Sequence, residues 1–240
     1  AAGIVILLAV YFLTISQTFL VKEAILLPTG PGQEEINEVL GRLGESRKFF
    51  IPKNHILILT RESLLEALQK DLPEVRSISA FRRIFPNQVE LQAEERKPTY
   101  VWKSGDSYYL LDQYGVVFQK INRYDEATFP EPLLVNRAGE ETVTVGEKLP
   151  IEKILTFVSE LKAQWSRQIS QTSYLNFLIP SLKSPDLLVM TGIGFSVYFD
   201  TDRSAALELR NLALLLNQEI KPETFAGLSY IDVRLPTTAY

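Results

Sequence analysis

Cysteine is absent from the 240 residues, and histidine occurs only once, as His55. Without cysteine the chain has no disulfide, no cysteine nucleophile, no zinc ribbon and no iron–sulfur site. The net charge is −4 and the basic residues are scattered, so no basic stripe is available to neutralise a nucleic-acid backbone. No acidic cluster has the spacing of a calcium loop. We therefore expect a protein without metal, cofactor or nucleic-acid partner, with His55 at the surface or at the edge of the core.

Catalytic motifs are missing as well: the sequence has no G-x-S-x-G elbow, no phosphate-binding glycine loop and no H-E-x-x-H. The two glycines of Thr191–Gly194 lie between strand-like segments, so we predict a hairpin turn there. Adjacent glutamates occur at Glu94-Glu95 and Glu140-Glu141. Neighbours on a strand point to opposite faces, so we interpret these pairs as solvated charges rather than glycosidase acids. The sequence predicts a protein that is not an enzyme and takes no small-molecule substrate.

The N-terminal segment is apolar: residues 1–15 carry no charge, and the first charged residues are Lys22 and Glu23. At ~0.3–0.6 kcal/mol each, its strongly apolar side chains favour a bilayer by ~3–5 kcal/mol. A spanning helix needs ~20 residues, so we expect a transmembrane helix over residues 1–18 that is truncated at its N-terminus. No small-x-small cleavage site precedes Lys22, which disfavours a signal peptide.

A first module follows this segment, and its patterns alternate between strand and helix. Thr60 is the expected N-cap of its second helix, and Gly44 is the expected stop of its first. The predicted elements are a strand over 19–27, helices over 34–43 and 60–70, and strands over 75–84 and 88–94. Two helices covering one face of a three-stranded sheet form a small β-α-α-β-β domain. We expect residues 44–54 to be irregular.

Strand patterns dominate the chain beyond Pro98. Trp102 and Trp165 are expected to anchor the core of this part. The predicted strands cover 100–103, 108–112, 116–120, 133–135, 174–179, 187–190, 195–199 and 228–235, and the predicted helices cover 151–165 and 203–217. The fold class is therefore α+β, with a mostly antiparallel β domain that carries two helices.

Several segments together resemble one family. They are Arg83-Ile84-Phe85-Pro86-Asn87, Glu95-Arg96-Lys97-Pro98, Asp112-Gln113-Tyr114-Gly115 and Tyr230-Ile231-Asp232-Val233-Arg234-Leu235-Pro236. This combination resembles the FtsQ/DivIB cell-division proteins of bacteria. The resemblance implies a transmembrane helix (1–18), a POTRA domain (19–98) and an FtsQ-type β domain (99–240).

The resemblance also implies a function: a non-enzymatic, single-pass membrane scaffold of the divisome. Its N-terminus would be cytoplasmic, its other domains extracytoplasmic, and its place the division septum. The implied partners are FtsB/DivIC-like and FtsL-like proteins and, through them, the septal peptidoglycan synthase.

The motif residues have structural interpretations, because turns and strand ends need their side chains. Aspartate caps backbone N–H groups in a turn, glycine takes positive φ, and proline ends strands. The residues given this structural role are Arg83, Pro86, Glu95, Arg96, Pro98, Asp112 and Gly115.

The candidate contacts lie on the last strand and its tail, where FtsB/DivIC docks in the family that the chain resembles. By position they are Tyr230, Leu235, Thr237 and Tyr240, with Asp232 and Arg234 as flanking polar groups. The alternative is that this strand is interior and Tyr230 belongs to the core.

A second candidate contact region has both charge and aromatic rings. It consists of Arg47, Lys48, Phe49 and Phe50. The alternative is a mobile loop whose aromatic side chains tuck onto the domain.

Two other functions are alternatives to the scaffold. A POTRA-type chaperone or secretion component needs a C-terminal β-barrel or repeated POTRA units, and the sequence shows neither. An envelope hydrolase needs a convergent catalytic set, which the residues do not supply.

Overall fold

The computed structural model describes residues 3–4, 11–12, 14, 16–27, 32–139 and 143–234. The chain divides into two compact units, Ala1–Arg96 and Lys97–Tyr240. Among the described residues, no helix is long and apolar enough to cross a membrane. Of the span predicted at the N-terminus, residues 1–2, 5–10, 13 and 15 lie outside the described part.

The first unit is a three-stranded sheet covered by two helices. Its elements are β1 (Glu23–Leu26), α1 (Gln33–Glu45), β2 (Arg47–Lys48), β3 (Ile51–Pro52), α2 (Arg61–Asp71), β4 (Val75–Ile84) and β5 (Gln88–Glu95). The strand order is β1-β5-β4; β1 runs parallel to β5, and β4 runs antiparallel to it. The apolar sides of the helices and the sheet form one core, which includes Ile36, Leu40, Leu64, Leu68, Val89 and Leu91.

Local sequence explains these elements. Thr60 caps α2 by accepting from Ser63 N, and the Ser63 hydroxyl accepts from Thr60 N, which satisfies two N–H groups at the helix start. In β5 the apolar side chains of Val89, Leu91 and Ala93 are buried and alternate with polar ones, as in a strand with one face on the core.

Three predictions for the first unit need correction. Strand β1 begins at Glu23 and not at Phe19, because Gln17–Phe19 form a 3₁₀ turn capped by Ser16. Helix α1 continues through Gly44 to Glu45. The stretch 44–54 contains a short antiparallel hairpin, β2–β3, where we expected no regular structure.

The second unit has an eight-stranded sheet and two helices. Its elements are β6 (Tyr100–Ser104), β7 (Ser107–Leu111), β8 (Val117–Ile121), β9 (Leu133–Asn136), α3 (Glu152–Gln168), β10 (Tyr174–Ile179), β11 (Asp186–Thr191), β12 (Ser196–Asp200), α4 (Ala205–Leu214) and β13 (Tyr230–Asp232). The strand order is β13-β12-β11-β10-β9-β6-β7-β8. Four of the seven pairings are antiparallel and three are parallel, so the sheet is mixed.

The core of this sheet lies mainly under the two helices. Helix α3 packs against α4, and both contribute to one large cluster that contains Trp102 and Trp165. A smaller cluster around Val101 and Phe118 packs against the side chains of Tyr124 and Phe129 in the long connection after β8. Both tryptophans are buried as predicted.

Several boundaries and one burial state differ from the predictions. The last helix begins at Ala205 and not at residue 203, because Ser204 caps it, and five residues of π-helix follow it. Within the described residues the last strand covers only Tyr230–Asp232. His55 is fully buried and not at the surface, and its Nδ1 accepts from Leu57 N at 3.3 Å.

The motif residues hold turns and strand ends together. Arg83 donates from Nη2 to the Leu59 carbonyl at 2.8 Å, and Arg96 donates from Nε to the Pro73 carbonyl at 3.0 Å. Asp112 Oδ1 accepts from Tyr114 N and Val116 N, each at 2.9 Å.

Other motif side chains complete this pattern. Gly115 has φ +80°, the left-handed conformation that glycine adopts without strain. Arg82 pairs with Glu90 at 2.8 Å across β4 and β5.

Candidate functional site at the terminal strand

Among the described residues, the terminal strand β13 pairs with β12 alone. Its register sets Ser196 opposite Tyr230 and Tyr198 opposite Asp232, in parallel. Side chains alternate along the strand: Ile231 and Val233 are buried in the core, whereas Tyr230 is 54% exposed. The strand therefore contributes one face to the core and presents the other to solvent.

The backbone of β13 also has two sides. Ser196 N donates to the Ser229 carbonyl and Val233 N donates to the Tyr198 carbonyl, both at 3.2 Å. Backbone groups of successive residues alternate in direction, so the N–H and C=O of Tyr230 and Asp232 point away from β12. None of the described residues pairs with this outer side. Such an edge is a template for an added strand.

The opposite edge of the sheet, β8, is protected. Val117 N donates to the Glu147 carbonyl, and Gly146 N donates back to the Val117 carbonyl, so the start of β8 is already paired. Further along the strand, Lys120 is exposed, and lysine is a common guard against strand addition. Within the described chain, β13 is the more accessible of the two edges.

An ionic cluster fixes the end of β13. Arg234 donates from Nε and Nη2 to the two carboxylate oxygens of Asp232 at 2.9 and 2.6 Å, and from Nη1 to Asp186 at 2.6 Å. A forked pairing of this kind restricts the guanidinium to one orientation. Hydrogen bonds from Arg234 lower the pKa of Asp232. The pKa of Asp186 is lowered mainly by the hydrogen bond from the Ser184 hydroxyl and to a smaller extent by Arg234. Both carboxylates are therefore ionised at neutral pH.

Aromatic side chains cover the same corner. The Arg234 guanidinium lies 4.9 Å from the centre of the Tyr198 ring, within cation–π range. The Tyr198 ring meets the Tyr230 ring edge-on at 5.5 Å. The exposed Tyr230 ring is therefore supported from below by Tyr198 and, through it, by the ionic cluster.

A buried carboxyl group lies behind the cluster. Glu208 on α4 is fully buried, and its Oε2 accepts from Asp200 N at 2.9 Å. Burial raises its pKa to about 7. Arg203 lies 3.5 Å from Glu208 Oε1 and also donates to the Arg234 carbonyl, so it links α4 to the end of β13.

The structure describes three of the six predicted contact residues, Tyr230, Asp232 and Arg234. Tyr230 is exposed at the edge, so the alternative of an interior strand with Tyr230 in the core is wrong. Asp232 and Arg234 face each other within the ionic cluster. Leu235, Thr237 and Tyr240 lie outside the described residues, so their contribution stays a prediction.

Sequence reasoning missed the residues that complete the corner: Asp186, Tyr198, Arg203 and Glu208. Asp186 lies 48 positions from Arg234, and nothing local in the sequence joins them. Glu208 did leave a signal, because it falls on the apolar face of α4 beside Ala205, Leu209 and Leu212. A charged residue on a buried helix face indicates a specific polar contact.

The second candidate region is the tip of the β2–β3 hairpin. Arg47 and Lys48 form β2, and the turn places Phe49 at φ +58°, a left-handed conformation that costs an L-residue ~1–2 kcal/mol. Phe49 is 88% exposed and Phe50 is 80% exposed. The alternative, that these rings tuck onto the domain, is therefore wrong.

Metal chemistry has no support among the described residues, which contain no group of three or more His, Cys, Asp or Glu side chains able to hold an ion. The adjacent carboxylates Glu94 and Glu95 lie on β5, where Glu94 accepts from the Ser77 hydroxyl at 2.7 Å. The other predicted pair, Glu140-Glu141, lies outside the described residues.

The chain was compared with family models, curated proteins and solved structures, and the family model identifies its family. Residues 100–234 match the family model for "Cell division protein FtsQ/DivIB, C-terminal". No curated protein matches the chain. Among solved structures, the major extracytoplasmic domain of the trans isomer of the cell-division protein DivIB from Geobacillus stearothermophilus is similar over 53% of this chain and 99% of its own, at 14% identity and a TM-score of 0.32. The family match spans more than half of the 240 residues, and the chain therefore belongs to the FtsQ/DivIB family of cell-division proteins.

Proposed function

We propose that this protein is a non-catalytic, single-pass membrane scaffold of the bacterial divisome. Membership of the FtsQ/DivIB family supports a scaffold role in cell division. The uncharged run at residues 1–15 supports an anchor in the cytoplasmic membrane, with the N-terminus cytoplasmic and both units extracytoplasmic at the septum. In this proposal residues 19–98 are a POTRA domain and residues 99–240 are the FtsQ-type β domain.

The proposed partner site is the outer edge of β13. A partner segment in extended conformation would add itself as a ninth strand and exchange backbone hydrogen bonds with Tyr230 and Asp232. The proposed partner is an FtsB/DivIC-like protein, together with an FtsL-like protein, and through both the scaffold would reach the septal peptidoglycan synthase. The observation that carries this proposal is the unpaired outer side of β13 among the described residues.

The ionic cluster suits this role because it makes the edge rigid before binding. Arg234 is held by Asp232 and Asp186, and it supports Tyr198 under the Tyr230 ring. A preorganised edge loses little conformational entropy on association, which favours affinity. Asp232 and Arg234 thus act in the proposal by shaping the strand, while Tyr230 contributes its exposed ring to the contact.

Two substitutions at position 230 distinguish the contribution of the backbone N–H to partner binding from the contribution of the ring. Tyr230→Ala removes the ring and keeps the outward N–H, whereas Tyr230→Pro removes both. The inward bonds of β13 are made by other residues, so proline at this edge position leaves the ladder with β12 in place. The matched control is Tyr114→Ala, since Tyr114 is 50% exposed in the β7–β8 turn.

We expect Tyr230→Ala to weaken binding of the partner's extracytoplasmic segment by roughly 30-fold, the ~2 kcal/mol of an interface hot spot. Tyr230→Pro should weaken it further, and Tyr114→Ala should not change it. The measurement is calorimetric titration, with circular dichroism to confirm that each variant is folded. Equal losses for alanine and proline would refute strand addition, and unchanged affinity for both would refute the site.

A further inference from the structure

The tip of the β2–β3 hairpin carries the two most exposed large apolar side chains that the structure describes, Phe49 and Phe50. Single exposed apolar side chains are ordinary on protein surfaces, whereas two adjacent phenyl rings at the end of a narrow ribbon are not. Neither ring belongs to a core cluster of the first unit. The hairpin therefore presents apolar surface that the folded unit does not use.

Positive charge surrounds these rings. Arg47 and Lys48 precede them and Lys53 follows β3, and all three side chains are exposed. None of the three cations forms an ion pair with a residue in the described part of the chain. Arg47 donates to the Phe50 carbonyl at 3.4 Å, which keeps this cation beside the turn. Apolar rings flanked by cations without a carboxylate partner match the chemistry of an anionic lipid surface.

The hairpin also lies where the N-terminal apolar run enters the first unit. Lys53 N donates to the Ser46 carbonyl at 2.9 Å and closes the base of the hairpin. The next residues of the chain pair with the segment that leads out of the apolar run, because Val21 N donates to the Asn54 carbonyl and Ile56 N donates to the Phe19 carbonyl. The Phe19 ring in turn meets the Phe12 ring edge-on at 6.0 Å.

We infer that the β2–β3 hairpin contacts the bilayer directly: Phe49 and Phe50 enter the interface of an anionic membrane, and Arg47, Lys48 and Lys53 pair with its phosphates. The inference rests on the membrane anchoring in the proposed function, because the anchor brings the hairpin to the surface. Aromatic side chains favour the level of the headgroups. A second contact beside the anchor would fix the orientation of the first unit against the membrane.

The experiment uses Phe50→Trp as a local reporter in the full chain. The two native tryptophans, Trp102 and Trp165, are buried, and the unsubstituted chain measures their contribution. The protein is reconstituted into vesicles of phosphatidylcholine and phosphatidylglycerol that contain brominated lipid. We expect the lipid to quench the introduced tryptophan and to shield it from aqueous iodide. Quenching should weaken in phosphatidylcholine alone and at high salt, because screening weakens attraction between exposed charges.

A matched pair of charge reversals tests the electrostatic part. Lys48→Glu in the reporter chain should lower the ratio of lipid-bound to free hairpin at least about fivefold, which corresponds to the ~1 kcal/mol of one basic residue near an anionic surface. Lys70→Glu reverses another exposed lysine of the same unit and should have no effect. Lys70 is not part of the hairpin. It lies in the last turn of α2, where the side chain of the adjacent Gln69 donates to the Arg76 carbonyl at the start of β4.

The outcomes separate this inference from the proposed function. In the first outcome the protein floats with the vesicles after carbonate washing, but the introduced tryptophan is open to iodide and is not quenched by lipid. This result overturns the hairpin contact and leaves the anchor intact. Release of the protein from the vesicles by carbonate refutes the anchor. If vesicles are then added to the released protein and their lipid quenches the introduced tryptophan, the hairpin contact is still supported. Protection of this tryptophan only after addition of a partner's extracytoplasmic segment assigns the hairpin to protein docking and overturns the lipid contact.

Discussion

At the scale of single residues, Glu208 couples the region behind the terminal strand to pH. The groups that face it are Arg203, Asp200 and Asp232, but the dominant effect is burial, which raises its pKa from 4.5 to about 7. Between these two values the folded chain keeps a proton that the unfolded chain has released. Stability linked to this group is therefore present at pH 4.5 and is lost as the pH rises toward 7.

We predict that Glu208→Gln raises stability at pH 8. The amide oxygen can still accept from Asp200 N, the carboxylate charge that burial disfavours is removed, and Arg203 keeps its bond to the Arg234 carbonyl. The expected gain in the free energy of unfolding is about 1–3 kcal/mol at pH 8 and close to zero at pH 4.5. Urea unfolding at the two pH values measures it. Glu160→Gln, at an exposed position on α3, is the control that should show no such gain, and an equal shift at both pH values would contradict the prediction.

Residue-scale features were predictable from sequence only where they are local. The turn at Asp112–Gly115 and the Thr60 cap are formed by residues within four positions of one another, so their side-chain chemistry indicated them. The ionic cluster is different, because Arg234, Asp186 and Arg203 meet only after β11, β12, α4 and β13 have come together. Pairings of that kind are set by tertiary contacts, which a local pattern does not report.

At the scale of elements, helix α1 contains two glycines with opposite surroundings. A methyl group at Gly41 would meet nothing within 4 Å, whereas at Gly44 it would lie 2.8 Å from Asn54 Nδ2. Asn54 is buried, and the same nitrogen donates to the Val21 carbonyl at 3.0 Å. The close approach of Asn54 therefore requires glycine at position 44, which accounts for a glycine inside the helix rather than at its end.

We predict opposite results for the two alanine substitutions. Gly41→Ala should stabilise the first unit by about 1 kcal/mol, the difference in helix propensity between the two residues. Gly44→Ala gains the same propensity but displaces Asn54 and breaks its bond to Val21, so a net loss of about 1 kcal/mol is expected. Thermal unfolding followed by circular dichroism compares the variants. A stabilising Gly44→Ala would show that Asn54 moves aside freely.

Long elements were predictable and short ones were not. Strands β4 and β5 and helices α2 and α3 carry clear periodic patterns, and the structure places them close to the predicted bounds. The β2–β3 hairpin escaped because each strand has two residues and its turn uses Phe49 at positive φ, where glycine or asparagine is expected. The candidate contacts were assigned to the last strand, and the structure places that strand at an edge of the sheet, but its short length was not predicted.

At the scale of the whole molecule, each unit has its own hydrophobic core. The first unit buries Leu91 among side chains from its own sheet and helices, and the second buries Leu209 under its own sheet. The two tryptophans of the chain, Trp102 and Trp165, both belong to the second unit. Tryptophan fluorescence therefore reports the second unit alone, whereas circular dichroism reports both.

We predict that the two units unfold independently, and a matched pair of leucine substitutions tests this. Leu91→Ala should destabilise the first unit by about 2–5 kcal/mol, the usual cost of a cavity in a core, and should leave the tryptophan transition unchanged. Leu209→Ala should shift the tryptophan transition by a similar amount. Both leucines are fully buried, so the two changes are comparable in kind. A shift of the tryptophan transition by Leu91→Ala would instead show that the units unfold as one cooperative structure, because the first unit contains no tryptophan.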